Sequence, residues 1–274
     1  MKTFKEPSKL QKWCRARKLA GAKIALVPTM GYLHDGHLSL IREAKRRGAE
    51  EIVVSVFVNP VQFGPNEDYE KYPRDEKADL AKCRAAGATA VFFPTPRNMY
   101  LERHSVYVNE EDLSRGLCGA RRPGHFRGVC TVVAKLFNLA HPDFAVFGQK
   151  DYQQAQVIRR MVRDLNFDLD VVVAPIVREP SGLARSSRNT YLSPEERERA
   201  LAISRSLAAV SVGKTAKSER ARVERALRSA GLVVDYVAFV DGETLEPVKR
   251  TAKGVCALVA AYDGKTRLID NRVL

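Results

Sequence analysis

Two histidines three positions apart, His34 and His37, stand where an apolar run, Ile24-Ala-Leu-Val27, gives way through Pro28 to a helical pattern beginning at Leu38. The spacing puts both imidazoles on one strand-to-helix turn. Beyond the carboxyl end of a parallel strand, the open amides of the next helix favour an anion, and an imidazole there can donate to phosphate oxygens. An H-x-x-H by itself is also what a merely capped turn contains. Two further segments carry compatible chemistry. Lys150 and Asp151 follow the apolar run Phe144-Ala-Val-Phe147 and Gly148, and open a helix. That sets a cation beside a helix N-terminus, with Asp151 as its expected N-cap. Arg185-Ser186-Ser187-Arg188 places two hydroxyls between two guanidiniums. Each segment alone is ordinary polar surface, but their coincidence at the expected edge of one α/β sheet reads as a nucleoside triphosphate site. No G-x-x-x-x-G-K-S/T occurs, so a P-loop is excluded, and no Gly-rich dinucleotide fingerprint follows the first strand. The histidines lack the cysteine or paired-glutamate context of a zinc site, and no protein-bound metal is expected.

The elements that must hold these groups follow from the apolar pattern. A first amphipathic helix begins at Ser8 and ends near Gly21, before a strand over 23–27. The helix over 38–47 stops at Gly48, and residues 51–58 form a nearly continuous β-branched run of the kind a doubly covered parallel strand needs. Strand, turn, helix, strand is a βαβ unit. Residues 59–72 read as a polar loop on the same edge as the histidines, followed by a helix over 74–86 and a strand over 89–93. A short strand is expected over 105–108. The four turn residues Gly116, Gly119, Pro123 and Gly124 make 115–128 a loop. A helix over 129–139, a strand over 144–147, a helix over 152–165 and a strand over 169–173 complete the sheet. After Pro175 the composition changes. Ser193-Pro194-Glu195-Glu196 is a helix start with Ser as N-cap, Pro at N1 and Glu at N3. Two helices, 194–209 and 216–230, precede strands over 232–240, 255–262 and 266–271. The fold class expected is α/β: a Rossmann-like parallel sheet with helices on both faces over 1–175, and a smaller α+β domain over 176–274 that carries the Ser-Ser-Arg loop.

Composition narrows the function classes. With 45% hydrophobic and 28% charged residues, the chain of 274 residues is globular. A net charge of +14 calls for anionic partners, but the excess is spread: residues 176–274 hold 18 Lys+Arg against 12 Asp+Glu. The dense clusters Lys45-Arg46-Arg47 and 220–228 lie on helical patterns, the second interleaved with acids. They read as solvated faces rather than a nucleic-acid stripe. Five cysteines without C-x-x-C, no apolar leader and no stretch near eighteen apolar residues point to a reduced, cytoplasmic protein without a membrane partner.

The H-x-G-H turn followed by a serine-rich loop resembles the nucleotidyltransferase superfamily that includes class I aminoacyl-tRNA synthetases and small adenylyltransferases. More narrowly, Val27-Pro-Thr-Met-Gly-Tyr-Leu-His-Asp-Gly-His37, Val58-Asn-Pro-Val-Gln-Phe63, Arg122-Pro-Gly-His-Phe126, Phe147-Gly-Gln-Lys-Asp-Tyr-Gln-Gln154 and Ser186-Ser-Arg-Asn189 are similar to the motif set of the pantothenate synthetase (pantoate–β-alanine ligase) family, in its order and spacing. The match covers most of residues 23–192, and the remaining chain resembles the family in size and element order. The resemblance implies ATP-dependent ligation of pantoate and β-alanine through a pantoyl adenylate, with Mg²⁺ carried mainly by the ATP phosphates, no tightly bound prosthetic group, and a homodimer. Carried over residue by residue, it implies that Met30 and Gly31 lie along adenosine and phosphates, with Gly148 and Asp151 near the ribose and Val177 at the adenine edge. His34, His37, Lys150, Ser186, Ser187 and Arg188 would act on the phosphates. Gln62 and Gln154 would bind pantoate, with Pro28, Val58 and Phe63 against its geminal methyls. Arg122 and His125 would help to receive the β-alanine carboxylate. Two positions depart from the family pattern: Arg185 stands where an apolar residue is usual, adding a cation beside the triphosphate, and Gln149 stands for a common Glu. The alternatives are another adenylyltransferase with a different acid, against which Gln62 and Gln154 argue, and an RNA-binding relative of the synthetases. The latter would need a basic, aromatic-rich C-terminal module that residues 176–274 do not provide.

Overall fold

The structure is a computed structural model that describes residues 1–65 and 67–274. The chain divides into two compact units, one of residues 1–148 and 154–174, the other of residues 149–153 and 175–274.

The first unit is built in the order β1 (Lys2–Phe4), α1 (Pro7–Leu19), β2 (Ile24–Thr29), α2 (Asp35–Arg46), β3 (Glu51–Val56), α3 (Glu76–Ala86), β4 (Ala90–Phe92), α4 (Pro96–Met99), α5 (Leu117–Arg121), α6 (His125–Ala140), β5 (Phe144–Gly148), α7 (Tyr152–Asp164) and β6 (Asp170–Ala174). The six strands form one parallel sheet ordered β1-β4-β3-β2-β5-β6. This is the expected α/β architecture. Alternate residues of a strand point to opposite faces. Val27, Ile52 and Val54 pack on one face with Leu40, Ile41 and Ala44 of α2 and Cys83 and Ala86 of α3. Ile24, Leu26 and Val53, which alternate with them, are also fully buried. Helices α1 and α6 pack together and both meet β2. Such double burial, worth roughly 1.5–3 kcal/mol per large aliphatic side chain, is why these strands read as continuous apolar runs. Pro28, which has no N–H to give, lies beyond the last residue of β2 paired with β5, Leu26.

Three expectations are corrected here. Residues 105–108 form no strand: the Val108 amide donates 3.0 Å to the Thr131 hydroxyl, and the sixth strand is instead β1. With three residues and an exposed, exposed, half-buried pattern on an edge, β1 has no periodic signature to read. Residues 115–128 are not all loop, since α5 occupies part of them and α6 begins at His125. Gly128 lies within α6, and a Cβ there would stand 2.5 Å from the Val61 carbonyl oxygen and 2.7 Å from Gln62 Cα. The glycine serves close approach, not a turn. Asp151 is not a plain N-cap: residues Gln149–Asp151 form a 3₁₀ turn that runs straight into α7.

The second unit holds α8 (Pro194–Ala208), α9 (Ala216–Ser229), β7 (Val233–Asp241), β8 (Val255–Asp263) and β9 (Thr266–Val273). α8 opens with the expected capping box, Ser193 accepting from the Glu196 amide at 3.2 Å and Glu196 from the Ser193 amide at 2.8 Å. The sheet is antiparallel in the order β7-β8-β9, and Ile203, Leu207, Val223 and Leu227 of the helices pack on Val237, Phe239 and Val259. All five cysteines are buried and outside any disulfide, and burial is the main cause that pushes the thiols of Cys14, Cys83, Cys130 and Cys256 up to about 12. None of these four is a thiolate nucleophile at neutral pH. Among the described residues no helix is long and apolar enough to cross a membrane.

Candidate active site

In the first unit the histidine turn is anchored at both ends. Where β2 ends, the Thr29 hydroxyl donates to the Ser55 carbonyl at 2.7 Å and accepts from the Gly31 amide at 3.2 Å. Gly31 has φ +85°, and a Cβ on it would meet Val56 Cγ1 at 2.8 Å and Asp79 Oδ2 at 3.0 Å. Only glycine fits there. Asp79, reaching in from α3 and 1% exposed, accepts from the Tyr32 amide at 2.8 Å and the Leu33 amide at 2.7 Å. One turn on, Lys82 donates to the Leu33 carbonyl at 2.7 Å. Burial raises the Asp79 carboxyl above the usual range, against the two amides and Lys82, which pull it down.

His34 is the N-cap of α2. Its Nδ1 accepts from the Gly36 amide at 3.1 Å, while His37 Nδ1 accepts from the His34 amide at 3.3 Å, a capping box built of two histidines. The rings stack with centroids 4.0 Å apart and planes 28° apart. A nitrogen that accepts carries no proton, so each imidazole keeps its proton on Nε2. The capping geometry therefore sets both rings as Nε2–H donors at a helix N-terminus. The capped-turn alternative is thus met by the structure, and the caps leave both Nε2 atoms out of the capping bonds.

Gln62, 7% exposed, closes the turn Pro60–Gln62 that follows β3 and packs against α6 at Gly128. Its Nε2 donates to Met30 Sδ at 3.0 Å and its Oε1 accepts from Asn59 Nδ2 at 3.1 Å. The Gln62 carbonyl lies 2.9 Å from His125 Nδ1, which must carry the proton because a carbonyl only accepts. His125 Nε2 is then the acceptor facing Arg122 Nη1 at 2.9 Å. The same guanidinium forks onto Glu67, with Nε–Oε1 at 2.7 Å and Nη2–Oε2 at 2.6 Å. Burial alone would raise the Glu67 carboxyl, but the Arg122 fork more than offsets it and holds the group below the usual carboxylate range. Arg122 thus already holds a carboxylate. Pro28 on β2, Val58 just beyond β3 and Phe63 are half-buried, and Phe63 presents edge contacts to Tyr69 at 5.4 Å and Tyr72 at 6.1 Å. Gly148 ends β5, and Gln154 lies half-buried in the first turn of α7.

In the second unit the turn carrying Lys150 and Asp151 is clipped by β9. Asn271, 2% exposed, donates from Nδ2 to the carbonyls of Gln149 at 2.9 Å and Lys150 at 3.0 Å, and its Oδ1 accepts from Gln149 Nε2 at 3.2 Å. With the Gln149 amide donating there, a glutamate in its place would aim an acceptor at the Asn271 oxygen. Lys150 Nζ stands 3.8 Å from Asp151 Oδ2. The neighbouring Asp270 holds Arg178 by two bonds of 2.6 and 3.0 Å. From Arg178 the chain turns back through a bridge with Ala184, and the Arg185 amide donates to the Val177 carbonyl at 2.9 Å. Glu179 gathers Asn189 Nδ2 at 3.0 Å, Arg197 at 3.1 Å and Arg185 Nη1 at 3.8 Å. Ser186 caps a short 3₁₀ turn, Ser187–Tyr191, by accepting from the Arg188 amide at 3.3 Å. The extra cation at Arg185 therefore shares the Glu179 carboxylate with Arg197 and Asn189.

The structure thus brings His34 with His37, Met30 with Gln62 and His125 with Arg122 in one unit, and Val177 with Arg185 in the other. Sequence reading did not single out Asp79, Glu67, Glu179, Asp270 or Asn271. Each of them lies far in sequence from the group it supports or sits among other polar residues, so its type and spacing did not mark it out. Among the described residues no three of His, Cys, Asp and Glu are grouped so as to hold a metal ion.

The sequence pattern of the family described as pantoate-beta-alanine ligase matches residues 2–273. A pantothenate synthetase of Myxococcus xanthus (strain DK1622) is 55% identical, covering 99% of this chain and 95% of its own. One of Thermotoga neapolitana is 50% identical over 100% of this chain and 99% of its own. Among solved structures, the enzyme of Thermus thermophilus superposes with a TM-score of 0.92 at 45% identity, covering 100% of this chain and 99% of that one. The pantoate-beta-alanine ligase of Francisella tularensis, solved with beta-gamma ATP and beta-alanine, gives 0.84 at 31%, covering 100% and 97%. With pattern, identity and backbone agreeing from end to end, the chain belongs to the pantoate–β-alanine ligases.

Proposed function

We propose that the chain joins (R)-pantoate to β-alanine in two steps. The pantoate carboxylate attacks the α-phosphorus of ATP and pyrophosphate leaves; the β-alanine amine then attacks the acyl carbon of the pantoyl adenylate and AMP leaves. A carboxylate is a poor acyl donor until one oxygen becomes part of a good leaving group, which adenylation achieves. The observation that carries this reading is the pair of imidazoles at the start of α2 whose Nδ1 atoms accept from backbone amides, which leaves each ring proton on Nε2. Such preorganised donors stabilise charge that builds on phosphate without reorganising during the reaction.

In this reading His34, His37, Lys150, Ser186, Ser187 and Arg188 neutralise the α-phosphate and departing pyrophosphate. Met30 and Gly31 lie along adenosine and phosphates, Gly148 and Asp151 serve the ribose, and Val177 meets the adenine. Arg185 adds a cation tempered by Glu179. Gln62 and Gln154 bind pantoate, while Pro28, Val58 and Phe63 pack its methyls. ATP arrives with Mg²⁺ held mainly by its own phosphates, the usual habit of that ion. We assign the protein to the cytoplasm, which cysteines outside any disulfide suit, and to a homodimer by family resemblance, which light scattering on the eluted protein would measure.

Arg122 and His125 receive the β-alanine carboxylate, for which Glu67 must give way. Replacing Glu67 by Gln is expected to lower the β-alanine KM a few-fold, the worth of a partly exposed ion pair. An unchanged KM would remove Arg122 from amine-substrate recognition. Gln154→Ala is expected to raise the pantoate KM about tenfold and leave that of ATP in place, since one hydrogen-bonding amide is worth about 1 kcal/mol or somewhat more. A variant impaired only toward ATP would contradict its role. The whole reading is tested by AMP release with pantoate, comparing β-alanine with other amines. Pyrophosphate release from ATP that does not depend on pantoate would refute it.

A further inference from the structure

The Gln62 amide is fixed by a chain of hydrogen bonds that runs away from the ligand-binding residues to a phenol the proposed reaction does not use. Asn59, fully buried, sits at the start of it. Its Nδ2 donates to the Gly128 carbonyl at 3.1 Å and its Oδ1 accepts from the Val61 amide at 3.4 Å. Those two backbone groups can bond to the side chain in one orientation only, with the nitrogen toward Gly128. The same nitrogen donates to Gln62 Oε1 at 3.1 Å, so the Gln62 oxygen is turned inward and its NH₂ outward, where it rests 3.0 Å from Met30 Sδ. A thioether is among the weakest acceptors in a protein. An oxygen of a bound acid would replace it with gain.

The remaining lone pair of Asn59 is taken by Tyr100. Its hydroxyl lies 2.7 Å from Asn59 Oδ1 and must be the donor, because an amide oxygen only accepts. Tyr100 is itself wedged: the ring meets His104 edge-on at 5.0 Å and Phe57 at 6.4 Å, and Lys135 Nζ stands 5.8 Å from its centroid. The phenol is therefore held in place, across 41 residues of sequence, against the amide that orients Gln62.

We propose that Tyr100 is a positioning residue for the acid substrate: through Asn59 it holds Gln62 as a pure hydrogen-bond donor, which selects a carboxylate or hydroxyl oxygen at that subsite. This rests on the assignment of Gln62 to pantoate given above. The chain predicts coupling, since loss of the phenolic hydroxyl matters only while Gln62 is there to be oriented.

The test is a double-mutant cycle in the full-length enzyme. Tyr100→Phe, which keeps the ring and its packing, is expected to raise the pantoate KM about three- to tenfold, the worth of one buried hydrogen bond, with the ATP KM unchanged. In the Gln62→Ala background the same substitution is expected to change the pantoate KM by less than about twofold, within the scatter of additive sites. An equal factor in both backgrounds, an equal rise in the ATP KM, or wild-type kinetics for Tyr100→Phe would each overturn the proposal. Asn59→Asp, which replaces the donor facing Gln62 by an acceptor, is expected to raise the pantoate KM further than Tyr100→Phe. A smaller effect would also count against it. Gln62→Ala alone separates the two claims: wild-type pantoate KM in that variant would refute the assignment of Gln62 itself, whereas a raised KM with additive Tyr100→Phe refutes only the positioning.

Discussion

His37→Ala should lower the rate of adenylate formation by about 10²–10³, the usual loss when one preorganised donor to a developing oxyanion is removed. The measurement is pantoate-dependent exchange of labelled pyrophosphate into ATP. His37 has one role shown and one proposed: its Nδ1 closes the capping box on the His34 amide, and its Nε2–H is the proposed donor to phosphate. Losing the cap costs about 1 kcal/mol of stability. His37→Gln separates them, because glutamine at N3 can still reach back to the N-cap amide. It should restore most of the thermal stability and little of the rate. If His37→Gln restored the rate, the ring would matter as a cap and not as a donor. Lys150→Ala should cost the adenylation step a similar factor with little change in stability. Among the described residues its ammonium makes a loose contact of 3.8 Å to Asp151, and the turn that carries it is held by Asn271 through backbone carbonyls.

What the sequence made legible were the features that are local. A β-branched run between turn residues declares a covered parallel strand, and two histidines between such a run and a helical pattern declare an anion-facing turn. Ser193, Pro194 and Glu196 spell out a helix start within four residues. The proposed donors His34, His37 and Lys150 were legible for the same reason, since each lies within a few residues of the end of a strand. Their supports were not. Asp79 reaches back 46 and 47 residues to the histidine turn, and Asn271 reaches 121 and 122 residues to the turn of Lys150. No window of sequence contains both partners. Gly119 misled in the same way: counted as a turn residue, it lies inside α5, where a Cβ would collide with the Ser114 carbonyl oxygen. The 3₁₀ turn Gln149–Asp151 hid behind an N-cap reading because a polar residue before a helix suits both.

Among those unseen supports Asp79 should have the largest effect. Its two oxygens accept from two buried amides of the turn, and nothing else in α3 can replace them. Asp79→Ala leaves both N–H groups unsatisfied, at about 1–3 kcal/mol each, and releases Gly31 from a conformation it holds at φ +85°. Denaturant unfolding should show a loss of several kcal/mol, and at permissive temperature pyrophosphate exchange should fall at least about tenfold because the imidazoles no longer start from a fixed turn. Asp79→Asn discriminates between packing and acceptance. It has nearly the same shape, keeps one acceptor, and puts an NH₂ against the other amide. Since burial disfavours the charged form at this position, the neutral amide recovers some desolvation energy while losing one bond. Its stability should therefore lie between wild type and Asp79→Ala. An Asp79→Asn enzyme as unstable and as slow as Asp79→Ala would mean that the charge itself, not the number of acceptors, holds the turn. One indistinguishable from wild type would mean that a single acceptor suffices.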